Sequence, residues 1–199
     1  MALFSEHFSH YFSYGPLTSG LLTTVVFLPF FWALAGLLIP AKGGGRALLK
    51  YWALIGRLVV LGISLLLYRR FDPMGPEFQF QEAAYWIPAF GIQYLTGIDG
   101  ISLWLVLLTT FLTPLVILAS FSAIEHREKE YYFFLLALET GMLGAFVSLD
   151  IFLFYVFWEV MLIPMYFLIG IWGGKERIYA ATKFFLYTIF GSLLMLVAI

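Results

Sequence analysis

Four ionisable side chains stand inside long apolar runs of this sequence: Arg57, Glu139, Glu159 and Lys183. A charge at bilayer depth costs several kcal/mol, so such residues face a bundle interior or water and often mark a proton or ion path. Glu159 has the most favourable place. It follows Asp150 by about nine residues, some 14 Å of helix, near the middle of its run. Burial favours the neutral form of a carboxyl and a nearby cation favours the charged one, so a balanced site can take and release a proton. Pro164, five residues on, has no backbone N–H and frees a carbonyl one turn earlier, which can hold water beside the carboxyl. The other reading of Glu159 is an ion pair between two helices.

Glu139 precedes Gly141 and Gly144, small residues that allow close helix approach. It lies about as far before the turn near Leu149 as Glu159 lies after it, so the two carboxyls are expected at similar depth, sharing one interior. Two readings stand for Glu139, proton transfer and a hydrogen bond to a neighbouring helix. Lys183 lies one to two turns into the last run, where it can snorkel to the interface or tune a carboxyl. Arg57 keeps its charge and cannot carry protons by titration; it is expected to be a structural or lipid-headgroup partner.

The elements that must position these groups are membrane helices. Of 199 residues, 62% are hydrophobic, 20% aromatic and only 12% charged. This excludes an ordinary water-soluble globule and a disordered chain, and long apolar runs argue against a membrane barrel. Zero Cys removes disulfides, thiolate zinc sites and Cys-ligated iron–sulfur clusters. A net charge of -1 gives no basic footprint for nucleic acid, and no phosphate-cradling glycine loop is present. His7 and His10 are read as part of a mobile N-terminus, Gly43 to Gly45 as a turn, and the methionines near Glu159 as packing.

A span needs about 20 apolar residues. Six are expected, at about 17–40, 51–68, 98–123, 131–149, 150–172 and 178–199, which defines an all-α polytopic bundle. The connection 69–97, with Pro73, Pro76, Pro88, Tyr85 and Trp86, reads as an interfacial loop carrying a helical turn. Asp150 is placed to cap the fifth span. The loops after spans one, three and five carry Lys42, Arg46, Lys50, Arg127, Lys129, Lys175 and Arg177, against Arg69 and Arg70 opposite. The basic side should be cytoplasmic, with the N-terminus outside.

The run from Ser148 to Leu168, centred on Phe157-Trp158-Glu159-Val160-Met161, continues into Trp172-Gly173-Gly174-Lys175 and Ala180-Ala181-Thr182-Lys183-Phe184-Phe185. Together with Gly97-Ile98-Asp99-Gly100-Ile101-Ser102, it resembles the antiporter-like membrane subunits of NADH–quinone oxidoreductase (respiratory complex I). This is the group of subunit M and its mitochondrial (chain 4) and photosynthetic relatives. The resemblance covers about half the chain, so residues 1–96 (two helices and a long outward loop) are set apart from 97–199 (helices three to six, the start of the first antiporter-like repeat).

The resemblance implies the N-terminal part of a fold of about 14 helices with inverted repeats, and an outward N-terminus. It places Glu159 on the family's key glutamate, which pairs with a lysine of a broken seventh helix. It places Lys183 on a lysine frequent in the sixth helix, distinct from the main pumping lysine. The sequence ends inside helix six, so a fragment or one half of a split subunit is expected. The implied function is proton translocation through buried Glu and Lys residues, coupled to quinone reduction elsewhere. The chain itself is expected to hold no cofactor. NADH, FMN, iron–sulfur clusters and quinone are assigned to other subunits, and neighbouring antiporter-like subunits and the lipid bilayer are its partners. A cation/proton antiporter or membrane-bound hydrogenase subunit, and a purely structural scaffold, are the alternatives.

Overall fold

The computed structural model describes residues 20–40 and 45–199. His7, His10, Lys42 and most of the glycine run lie outside the described residues. Six helices follow in order: α1 Leu21–Gly36, α2 Gly45–Arg70, α3 Gly100–Ala123, α4 Glu128–Val147, α5 Ile151–Trp172 and α6 Arg177–Ala198. Helices α2 to α6 are each long and apolar enough to cross a membrane, while α1 has 16 residues. The first span is thus shorter than the expected 17–40, because the helix unwinds into a turn after Gly36.

The connection between α2 and α3 corrects the sequence reading. It is an antiparallel β-hairpin, β1 Gln79–Ile87 and β2 Ile92–Ile98, joined by a short 3-10 turn over Pro88–Phe90. Gly91, at φ 70°, supplies the left-handed residue that closes this turn. The hairpin lies across one end of the bundle and ties three helix starts together. The turn before α5 joins it through Leu149 N–H donating to Leu95 O at 2.9 Å.

At α1 the hairpin replaces a missing cap. Gly20 precedes the helix and offers no side chain to its free amides. Glu82 of β1 takes that role, accepting from Leu22 N at 2.9 Å and Thr23 N at 3.0 Å. Tyr94 of β2 meets the Thr23 hydroxyl at 2.9 Å. We expect Glu82→Ala to destabilise the chain by about 1–2 kcal/mol. Amide exchange at Leu22 and Thr23 should accelerate before that of the remaining helices.

Helix α3 begins with a capping box. Asp99 accepts from Ser102 N at 2.6 Å, and Ser102 Oγ accepts from Asp99 N at 2.9 Å. These bonds, led by the Ser102 amide, hold the Asp99 carboxyl below its ordinary range. A depressed carboxyl stabilises the fold above its unfolded value and loses that contribution as pH falls through its folded value. Asp99→Ala should therefore cost about 1 kcal/mol at neutral pH. It should cost progressively less in acid, which thermal unfolding across pH would show.

Helices α4 and α5 form the closest pair. A Cβ at Gly144 would run into the Phe157 ring, and one at Gly141 into Met161. The two glycines let the backbones approach, as small residues do between membrane helices. Asp150 caps α5 as expected, accepting from Leu153 N at 3.0 Å. Helix α6 folds back on α5, with Gly170 beside Ala181 and Tyr166 against Phe185. At the other end of the bundle, Lys50 Nζ stands 3.5 Å from Glu128 and donates to Phe121 O at 2.8 Å.

Candidate functional site

Helix α5 is apolar nearly all round, and the turn of the helix sets Glu159 on one face of it. Tyr155, one turn earlier on that face, lies against both the Glu159 carboxyl and Ser192 of α6. Glu159 is half-buried, and its Oε1 is fully enclosed without a hydrogen-bond partner among the described residues. Pro164, inside the same helix, leaves the carbonyl of Val160, next to Glu159, without its helical donor. A carboxyl with one enclosed, unpartnered oxygen, near Tyr155 and a free backbone carbonyl, can exchange a proton with water or with a group brought to it.

Glu139 is placed elsewhere, which corrects the shared interior expected from sequence. It is 1% exposed and ion-paired with Arg57, which is 0% exposed. Thr113 of α3 stands beside it. Glu139 therefore faces α2 and α3, whereas Glu159 faces α6. Equal distance from a hairpin turn fixes depth along two helices but not the direction in which each side chain leaves its axis. Arg57, expected to meet a structural partner or a lipid headgroup, is fully buried and meets Glu139.

Lys183 is not joined to Glu159 either. It lies exposed on α6, with its Nζ 5.6 Å from the Tyr179 ring centroid. The α5–α6 packing sets Ser192 near the level of Glu159 and sets Lys183 near that of Tyr166. Tyr155 and Ser192 escaped the sequence reading. The four-residue step from Tyr155 to Glu159 was a visible signal, whereas nothing in the sequence marks Ser192.

The sequence comparisons divide the chain nearly where α4 ends. Residues 78–145 match the family described as NADH-ubiquinone oxidoreductase chain 4, amino terminus. Residues 148–199 match NADH:quinone oxidoreductase/Mrp antiporter, TM. NADH-quinone oxidoreductase subunit M of Rhodobacter capsulatus is 52% identical over 181 residues, 89% of this chain and 35% of that protein. The chain belongs to the antiporter-like membrane subunits of NADH–quinone oxidoreductase. NADH-ubiquinone oxidoreductase chain 4 of Marchantia polymorpha is 42% identical over 179 residues, 89% of this chain and 36% of its own length. Respiratory complex I from Thermus thermophilus superposes with a TM-score of 0.73 at 26% identity, over 89% of this chain and 34% of the matched chain. The Mrp complex from Dietzia sp. shares the fold, with a TM-score of 0.74 at 21% identity over 89% of this chain and 19% of that one. The chain spans about a third of the length of the subunit M and chain 4 relatives it matches.

Proposed function

We propose that this chain supplies part of a proton-translocating membrane subunit of an NADH–quinone oxidoreductase, with Glu159 as its proton-loading group. The observation that carries this reading is the enclosed, unpartnered Glu159 oxygen at mid-helix, inside the segment that matches the quinone oxidoreductase/antiporter family. Quinone reduction elsewhere in the complex changes the charge or hydration around Glu159. A cation moving closer favours the carboxylate, and its retreat favours uptake of a proton. Tyr155 and Ser192 are placed to pass hydrogen bonds between Glu159 and α6. Lys183 serves as a second proton-relay cation further along α6.

In this reading the chain is a non-redox part of a translocase. NADH, FMN, iron–sulfur clusters and quinone belong to other subunits, and neighbouring antiporter-like subunits cover its exposed apolar faces. The seven basic residues of one side lie in the cytoplasm, or the equivalent organelle compartment, and the N-terminus faces outward. The division at residues 96 and 97 then separates a peripheral part from the first helices of the antiporter-like repeat.

Membership of a family that also takes in Mrp antiporters supports a second reading, a cation/proton antiporter subunit. Membrane vesicles holding the full complex separate the two. The first reading predicts acidification driven by NADH oxidation and indifferent to sodium. Sodium-dependent proton exchange without NADH oxidation would favour the second.

A further inference from the structure

The Arg57–Glu139 pair has more hydrogen-bonding groups than the protein around it satisfies. Arg57 Nη1 donates to Glu139 Oε2. Arg57 Nε and Nη2 and Glu139 Oε1 are all buried and have no partner among the described residues. A guanidinium has five N–H donors and a carboxylate accepts from several directions, so one bond leaves most of that capacity unused. The helix faces one turn away offer nothing polar to fill it. Ala53 and Val60 on α2, and Leu136 and Leu143 on α4, are buried and apolar.

The polar group nearest at hand is Thr113 on α3. Its hydroxyl donates to Thr109 O at 2.8 Å, which leaves its lone pairs to accept. One turn along α3, Thr110 bonds to Ser64 of α2 at 2.8 Å, and both hydroxyls also bond to carbonyls of their own helices. What fits must therefore accept from Arg57 and donate to Glu139 or Thr113. The ion pair is neutral overall. Arg57 repels a cation there and Glu139 repels an anion. A small neutral molecule with two donors and two acceptors can accept from Arg57 Nε and Nη2 and donate to Glu139 Oε1, and buried water in proteins makes about three such bonds.

We propose that the α2–α3–α4 interface carries an internal hydration site, in which water bridges Arg57 Nε and Nη2 to Glu139 Oε1 and holds the two residues as a fixed ion pair. Glu139 is then a positioning charge in the bundle wall, separate from the Glu159 face, and carries no proton during turnover. This assignment stands whatever role Glu159 has, since the two carboxyls face different helices.

A cryo-electron-microscopy map of the intact wild-type complex, at a resolution that shows ordered water, tests the site directly. The expected result is water density within hydrogen-bonding distance of Glu139 Oε1 and of Arg57 Nε or Nη2. Another protein side chain on those atoms, or no density there at all, overturns the proposal. The charge role is read from variants in the full complex. Glu139→Gln alone and Arg57→Gln alone should each lower the assembled complex at least about tenfold, as when a buried pair loses one member. The double variant should assemble better than either and pump the wild-type number of protons per NADH. A double variant that assembles no better than the singles, or that assembles and loses proton pumping, overturns the fixed-pair role.

Discussion

Replacing Arg57 by leucine is expected to destabilise the assembled subunit by about 3–5 kcal/mol, the range for breaking a buried ion pair by removing one partner. The cost arises from what remains. Glu139 is 1% exposed, and no other cation is paired with it among the described residues. Its position on α4 prevents the side chain from reaching water at either end. Arg57→Lys should recover only part of the loss, because an ammonium is a point charge on a flexible stem and lacks the planar fork of the guanidinium. Thermal inactivation of the solubilised complex, together with the amount of subunit retained in the membrane, measures the effect. Lys50→Ala is the control. The Lys50–Glu128 contact lies at the partly exposed end of the bundle, with the lysine 19% exposed, and its loss should change stability by no more than about 1 kcal/mol.

The second large effect concerns function. Glu159→Gln keeps the size of the side chain and removes its ability to take and release a proton. Its carboxyl lies against Tyr155 and makes no ion pair among the described residues, so the amide should be accommodated with little change in assembly. On the proposed function, proton translocation should fall to near the background of uncoupled vesicles, and quinone reduction should slow with it. Glu159→Asp retains the titrating group but withdraws it by one methylene from Tyr155, and should give an intermediate rate. The contrast with Arg57→Leu is diagnostic. One variant leaves the complex assembled and idle, the other leaves less of it assembled.

The positions of the helices were legible in the sequence because apolar run length is set by the bilayer and needs no tertiary information. Asp150 as a cap was legible for a similar reason, since a cap acts within one turn of its own helix. The β-hairpin was not read. Its first strand is only partly buried and shows no clean alternation, and Pro73, Pro76 and Pro88 argue for a loop. The strand formers Ile92, Tyr94, Thr96 and Ile98 at every second position and the Pro88–Gly91 turn were the signals that could have found it. At the site, composition showed which charges lay in the membrane but not their pairing. Arg57 and Glu139 are 82 positions apart on different helices, and only packing brings them together. Glu159 could be placed at mid-helix from spacing alone, whereas its direction toward α6 depends on how Gly141 and Gly144 seat α5 against α4.

The central claim, that Glu159 is a proton-loading group, is tested most directly by counting protons. Sealed vesicles containing the intact complex, wild type or Glu159→Gln at equal assembly, would be given NADH while internal acidification and quinone reduction are recorded together. The account predicts that the variant translocates fewer protons per NADH oxidised and turns over more slowly. An unchanged proton count at wild-type turnover, in a fully assembled variant complex, would contradict it and leave Glu159 as a structural residue of the α5–α6 contact.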